Sequence, residues 1–509
     1  MGHVYEDRWL RYANYHMLTR KYDIRRLVII AVAVVTISWV LFEITNHELY
    51  RLAPLKRPVE PVHSVTGEGV PGQCTTWPVD EKGAYKSVAH RNRSSALESH
   101  GPRGGWKKPA GIKVVALVFY GRKRTVDFLD CYLQQNLAAN GGYVDEVRFM
   151  VHTENEEDLE YLDGLVKQRK YYSTVQARVC DDGMYGCVWD SAVEDETIYV
   201  KIDDDIIFIH PDTIPQLVHT RIASPHPFAV SANLVNSPLT GYQHYHFGAL
   251  HAFLPDPSDH PTRRAAESWR PSSFGRFPES AFPNLNNHQI SNPSEQDVEK
   301  HVFPPRPYPG HPWLQLSDDP YDMLKTPMGL NSLRAKDVGT EGVMNGAWSS
   351  WAISAQQQYS LLKNLEDNAM QRYFFGVPLD FPEEADADEL VLKHMRKNNA
   401  SAGAGAEQLL DTQFVRYNLN FVAMWGHDIK ANLPIAPDDE QDFTVTIPVR
   451  TQRPFVIDTR AVVGHLSFYP QHEGIRETDL LDRWRAFANE MVCTRKNQKK
   501  PFDARCSGF

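Results

Sequence analysis

The chain holds only six cysteines in 509 residues, Cys74, Cys131, Cys180, Cys187, Cys493 and Cys506, and no two of them stand at C-x-x-C spacing. That argues against a zinc ribbon and against a dithiol redox centre. An even set suits disulfides in an oxidising compartment, with Cys180–Cys187 and Cys493–Cys506 as the first local pairings to expect and buried free thiols as the alternative. Positive charge has no excess: 54 Lys and Arg are outnumbered by 64 Asp and Glu, and a net charge of -10 provides no basic field, so nucleic acid is not expected as a partner. No internal repeat is present, and there is one long apolar run instead of several, which excludes a multi-span membrane protein.

That single run is "LVIIAVAVVTISWVLF", Leu27 to Phe42. As a helix it is about 24 Å long, enough for a thin bilayer. Its bulky close, "SWVLFEI", lacks the small residues of a cleavage site, so an uncleaved anchor over 27–44 is expected rather than a cleaved signal peptide. Arg8, Arg11, Arg20, Lys21, Arg25 and Arg26 precede it, while Glu43 and Glu48 open the other flank. The asymmetry puts a tail, residues 1–26, in the cytosol and all that follows in the lumen. Residues 45–110, rich in proline, glycine and charge without a sustained period, read as a stem. Sequons at Asn92 and Asn399 fall on the expected luminal side.

From 111 to 509 the texture is that of a folded catalytic domain. "IKVVALVFY" is a continuous apolar strand, "TVDFLDCYLQQNLAAN" has helical spacing, "VDEVRFMVHT" is a strand, "NEEDLEYLDGLVKQRK" an amphipathic helix, and "STVQARVC" and "ETIYVKI" are further strands. This rhythm predicts an α/β fold with a mostly parallel sheet covered by helices on both faces. Residues from about 255 to 331 are too long and proline-rich for an ordinary connection and read as an insertion over the acceptor side. The stretch "NNASAGAGAEQ", 398–408, reads as a flexible loop, either a lid or a tether.

The centre of interest is "YVKIDDDIIFIHPD", where Asp203, Asp204 and Asp205 sit between two apolar runs. Adjacent carboxylates repel, and holding them ionised requires a compensating cation; hard oxygen ligands select Mg²⁺ or Mn²⁺. In extended chain Asp203 and Asp205 share a side and Asp204 points away. A calcium loop is excluded because its sixth and twelfth positions would be Phe208 and Ile214 instead of Gly and Glu. In open sheets ligands bind beyond the carboxyl ends of the strands, where the triplet lies.

The strand, acidic triplet, short apolar strand and following helix of "YVKIDDDIIFIHPDTIPQLV" resemble the DxD region of GT-A glycosyltransferases, most closely the β-1,3-galactosyltransferase and fringe-like group. The resemblance covers about 111–235 and implies a GT-A fold, a nucleotide-sugar donor that is UDP-linked, and Mn²⁺ or Mg²⁺ as cofactor. It implies Asp203 and Asp205 as metal ligands, with Asp203 and Asp204 also at the nucleotide. It further implies a Golgi membrane protein of single-pass type II form that glycosylates a glycan or glycoprotein hydroxyl. His465, in "AVVGHLSFYP", matches the late histidine with which the family completes its metal site. Arg122 and Arg124, in "FYGRKRT" after the first strand, suit the diphosphate.

An inverting transferase needs a carboxylate base. The group's acidic "EDV" motif is absent here, and Asp411, read as a helix N-cap, and Asp428 after it are the expected bases. Trp348 and Trp351 offer an acceptor platform, with core packing as the competing role. A metal-dependent luminal hydrolase of nucleotide sugars or phosphoesters, and a non-catalytic lectin or cargo receptor, are the rival functions.

Overall fold

The computed structural model describes residues 97–176, 180, 184–258, 268–281, 310–329, 347–375, 408–494 and 497. The anchor at 27–44, most of the stem, Cys74, Cys506, both sequons and nearly all of the loop at 398–408 lie outside the described residues. Among the described residues no helix is long and apolar enough to cross a membrane.

The first half of the domain folds as its patterning dictates. Strand β1 (Lys113–Tyr120) is buried from Val114 onward. It leads into helix α1 (Val126–Asn136). Strand β2 (Glu146–Val151) and helix α2 (Glu156–Lys167) follow. Asn155 caps α2 by accepting from the backbone of Glu157 and Asp158, and three acids in the first turn complement the helix dipole. Strands β3 (Tyr172–Gln176) and β4 (Thr197–Asp203) complete this half. The pairings β3–β2, β2–β1 and β1–β4 are all parallel, as the alternation of strand and helix requires.

The second half departs from the expectation of a mostly parallel sheet. After β5 (Ile206–Ile209) and α3 (Thr213–Ala223) come β6 (Ala229–Val235) and α4 (Pro238–His246). Two short strands, β7 (Phe253–Pro255) and β8 (Trp313–Gln315), pair with each other apart from the main sheet. Helix α5 (Trp351–Glu366) precedes β9 (Leu409–Asp411), β10 (Phe421–Trp425), α6 (Gly426–Ala431) and α7 (Asp439–Gln441). The chain continues through a wider helical turn into α8 (Ile447–Thr451), then β11 (Phe455–His465), α9 (His472–Arg476) and α10 (Leu480–Met491).

The nine-stranded sheet runs β3-β2-β1-β4-β10-β6-β11-β5, with β9 also on β11. Strand β10 is antiparallel to both β4 and β6, and β11 is antiparallel to β5 and β9 but parallel to β6. The sheet is therefore mixed. Every residue of β6 and β10 is buried, so the sheet centre is covered on both faces.

Cys180 and Cys187 are bonded as expected. Cys493, however, pairs with Cys131 and not with Cys506, tying the end of α10 to α1 across 362 positions. Proximity in the fold decides the pairing, and α10 packs directly on α1. The described parts of the 255–331 insertion pack on α5 and α10. Trp269 packs edge-on against Phe487 of α10, and Trp313 stacks on Tyr359 of α5. Arg270 forms a buried pair with Glu490 at 2.7 Å.

Candidate functional site

Strand β4 delivers Asp203 at the sheet centre, between β1 and β10; a two-residue turn, Asp204–Asp205, then passes the chain to β5 on the far edge of β11. The acidic triplet thus spans the rim between the two halves. The same crossing brings β11's last residue, His465, into register with Ile206, the residue after Asp205. A bulge between Gly464 and His465 re-aims the chain there. Asp205 and His465, distant in sequence, are brought together by ordinary strand pairing.

Each carboxylate meets its own cation. Asp203 pairs with the buried Lys201 at 2.5 Å and accepts from Asn420 Nδ2 at 2.8 Å. Asp204 accepts from the backbone N–H groups of Gly121 and Arg122 at 2.9 and 2.7 Å and from the Arg122 guanidinium at 3.2 Å. Asp205 Oδ2 lies 3.5 Å from His465 Nε2 and 3.6 Å from Arg122 Nη2. The turn ends the strict alternation of extended chain, so the three side chains fan out toward Lys201, Arg122 and His465 in order. Burial pushes the Asp204 carboxyl up to about 6 against the pull of Arg122. Burial also acts to raise Asp205, but the His465 imidazole overcomes it and holds the carboxyl at about 2. In turn, burial works to lower the histidine's own pKa, and Asp205 raises it.

His465 is fixed by its backbone and its far nitrogen. Nδ1 lies 3.2 Å from the Asn236 carbonyl, which can only accept, so Nδ1 carries the hydrogen and Nε2 is turned to Asp205. Asn236 holds that carbonyl from a left-handed conformation, φ 68°. Its side chain donates to the Leu466 carbonyl and to Gln471. Helix α5 clamps the same strand end: Gln358 donates to the His465 carbonyl and Ser354 to that of Leu466. Such outer partners set the tautomer and the aim of a ligating histidine.

The triplet lines a cavity of about 580 Å³. One wall is aromatic and basic, with Phe119, Tyr120, Tyr185 and Arg122; another carries Phe468, Tyr469 and His472; a third carries Arg416 and the acids Asp438, Asp439 and Glu440. Burial raises both Asp439, against Lys201, and Glu440, against Arg416. Patterning offers a signal for Lys201, since a two-residue period puts it on the side of Asp203. Asn420 and the acidic start of α7 were not singled out by sequence, because only the fold carries them to this rim.

Several expected site residues are elsewhere. Asp411 is in strand β9, paired with β11, and not at a helix start; its carboxylate accepts from the backbone and side chain of Gln413. Asp428 is in α6, with Arg453 at 2.5 Å and Arg221 at 3.6 Å, so a structural ion pair accounts for it. Neither lines the cavity. Arg124 turns into a separate, smaller pocket. Trp351 packs edge-on to Trp313 at 5.9 Å and fills the space beside Gly474, a core role. Trp348 is exposed and lies 6.5 Å from Phe468 at the cavity lip.

Among the described residues no three His, Cys, Asp or Glu side chains converge closely enough to cage an ion on their own. The donor set expected from Asp203, Asp205 and His465 therefore contracts to Asp205 and His465, because Asp203 is engaged by Lys201 and Asn420. A two-ligand site still fits Mn²⁺ or Mg²⁺, which take remaining oxygens from water and phosphate. Asp205 Oδ1 is buried with no hydrogen-bond partner, while His465 Nε2 faces the carboxylate's other oxygen, Oδ2.

No family model matches the chain, and no curated protein is similar enough in sequence to count as a relative. Among solved structures, one match is glucosyl-3-phosphoglycerate synthase from Mycobacterium tuberculosis, in complex with Mn²⁺, UDP and phosphoglyceric acid. Identity is 19%, coverage is 28% of this chain and 50% of that one, and the TM-score is 0.20. The chain thus matches about half the length of that protein. An overlap so shallow defines neither the fold nor the chemistry.

Proposed function

We propose that the protein is a metal-dependent glycosyltransferase of GT-A type that moves a sugar from a UDP-linked donor to a hydroxyl of a glycan or glycoprotein. The proposal extends to a Golgi membrane setting, with 27–44 as the anchor and the catalytic domain luminal. The observation that carries it is the meeting of Asp205 and His465 at the sheet rim, with an orphaned buried carboxylate oxygen, inside a cavity large enough for a nucleotide sugar.

Asp205 and His465 would hold Mn²⁺ or Mg²⁺. When bound, such an ion supplies neutralisation of the charge that develops on the departing diphosphate. Arg122, fixed by Asp204, presents a guanidinium at the same rim for that charge. Phe119 and Tyr185, with ring centroids 6.4 Å apart and planes inclined by 26°, offer apolar faces to a nucleobase. Tyr469, almost fully exposed on the lip, and Trp348 offer faces to a sugar.

In the transfer itself the acceptor oxygen bonds to the anomeric carbon as the bond to the diphosphate oxygen breaks, and the hydroxyl proton must pass to a base. Asp411 and Asp428 stand away from the cavity. We assign the base to the acidic start of α7, Asp439 or Glu440, whose carboxyls burial holds above their ordinary range and so nearer the working pH. Sugar release from UDP-sugars by the full chain, measured with and without Mn²⁺ and acceptor, tests the reading. Transfer that requires both supports it; acceptor-independent release at an undiminished rate makes the protein a hydrolase, and binding without turnover makes it a lectin.

A further inference from the structure

Beside the main cavity, and sharing only Arg122 with it, lies a second pocket of about 250 Å³ lined by Arg122, Lys123, Arg124, Asn155, Glu157, Asp158 and Arg476. Its charge balance is the reverse of the triplet's. The acids in its wall are committed elsewhere: Glu157 pairs with Lys123 at 3.0 Å, and Asp158 accepts from the Lys123 backbone at 2.9 Å. Asn155 is turned to the start of α2. Arg122 faces the aspartates. Arg124 and Arg476 have no ion-pair partner among the described residues, and Arg124 Nε is buried without a hydrogen-bond acceptor. Arg485, close by, is held by Asp127 at 3.0 Å and donates to the Arg124 carbonyl.

The crowding has an electrostatic cost. Burial, and then the neighbouring Arg476, Arg485 and Arg122, push the Arg124 guanidinium down to about 9. A guanidinium has five donors and no acceptor, so orphaned N–H groups among like charges are relieved by an anion.

We propose that this pocket is an oxyanion subsite, in which Arg124 and Arg476 bind a phosphate or sulfate group other than the donor's diphosphate. The subsite stands independently of the transferase reading; that its natural occupant is a phosphate or sulfate carried by the acceptor rests on that reading. The same chemistry would also serve a free inorganic ion, and competition separates the two sources.

Calorimetric titration of the full chain with inorganic phosphate and with sulfate, alone and with saturating UDP and Mn²⁺, tests the proposal. Binding is expected in both conditions, weakened about tenfold or more by Arg124→Gln and by Arg476→Gln. It should be unchanged in Arg276→Gln, whose partner Asp318 lies on the surface. Arg476 is exposed, so its loss leaves the core intact and keeps the test valid if Arg124→Gln misfolds. No heat of binding at tens of millimolar oxyanion overturns the proposal, as does binding abolished by UDP or unmoved by either substitution. UDP binding, read separately, is expected to survive Arg476→Gln, so failure here and failure of the transferase reading are distinct. Phosphate that competes with a phosphorylated acceptor, and not with its unphosphorylated counterpart, assigns the subsite to the acceptor. Phosphate that binds without competing assigns it to a free ion.

Discussion

The two halves of the sheet contrast in how they are built and in what they bring to the site. Strands β1 to β4 pair with close sequence neighbours in parallel and contribute Lys201, Asp203, Asp204 and, just past β1, Arg122. Strands β6, β10 and β11 interleave across long separations with mixed polarity and contribute Asn420 and His465. The first half thus supplies charges that are already balanced against one another, and the second supplies the imidazole that faces Asp205. The Asp204–Asp205 turn passes the chain from one half to the other at the seam.

The strongest way to break this contrast is to remove the seam. Asp205→Ala is expected to lower transfer about 10²–10³-fold and to abolish Mn²⁺ binding, measured by donor turnover and by metal titration. His465→Ala should cost about 10–100-fold and shift the metal requirement to higher concentration, because Asp205 remains. Equal losses in the two variants would mean that both halves contribute alike. Glu440→Gln and Asp439→Asn should lower turnover about 10²-fold or more in whichever residue is the base, with donor affinity unchanged. Loss of donor binding instead would make that residue part of the nucleotide pocket.

The Cys131–Cys493 bond ties a helix of the first half to the chain end, so Cys493→Ser should lower stability by about 2–5 kcal/mol. Denaturant unfolding checks this, and a coincident loss for Cys180→Ser, which closes only a short loop, would refute the long-range role. Acid should separate the halves too. In the second, burial depresses His244 to about 3, and burial with some opposition from Asp212 depresses His210 to about 4. Both stay neutral in the fold but take up protons when unfolded below about 6.5. Their stabilisation is full above that pH and is lost as pH falls, at about 1.4 kcal/mol per pH unit for each group. In the first half, Glu146 is held at about 2 by hydrogen bonding to Arg148, so its contribution is lost only as pH falls below about 4.5. Stability curves at pH 7, 5.5 and 4.5 should therefore slope already above 4.5, and His244→Gln should flatten them. The smallest effect expected is at the lip: Trp348→Ala should raise the acceptor KM a few-fold with kcat nearly unchanged.

The contrast also governs what could be read in advance. Apolar runs mark β1, β2 and β4 within two residues, and the amphipathic period marks the starts of α1 and α2 but overruns their C-terminal ends by three or four residues, because local burial there coincides with local sequence. The stretch containing Asp411 misleads because β9 is three residues long and exists only as a partner of β11. A mixed sheet could not be told from a parallel one, since apolar strands look alike in either polarity. His465 stood out through the glycine before it and the resemblance to a known motif. The base candidates in α7 did not, because nothing local in sequence places residues 439 and 440 beside the acidic triplet. The Cys131 partner was illegible for the same reason as the mixed topology: nothing local in sequence records a contact across 362 positions.

Helix α5 grips the carbonyls on either side of the last strand's end through Gln358 and Ser354. The imidazole is consequently aimed only after α5 and β11, both made later than the acidic triplet, have docked on one another. During synthesis, therefore, the carboxylates emerge long before the nitrogen that faces them.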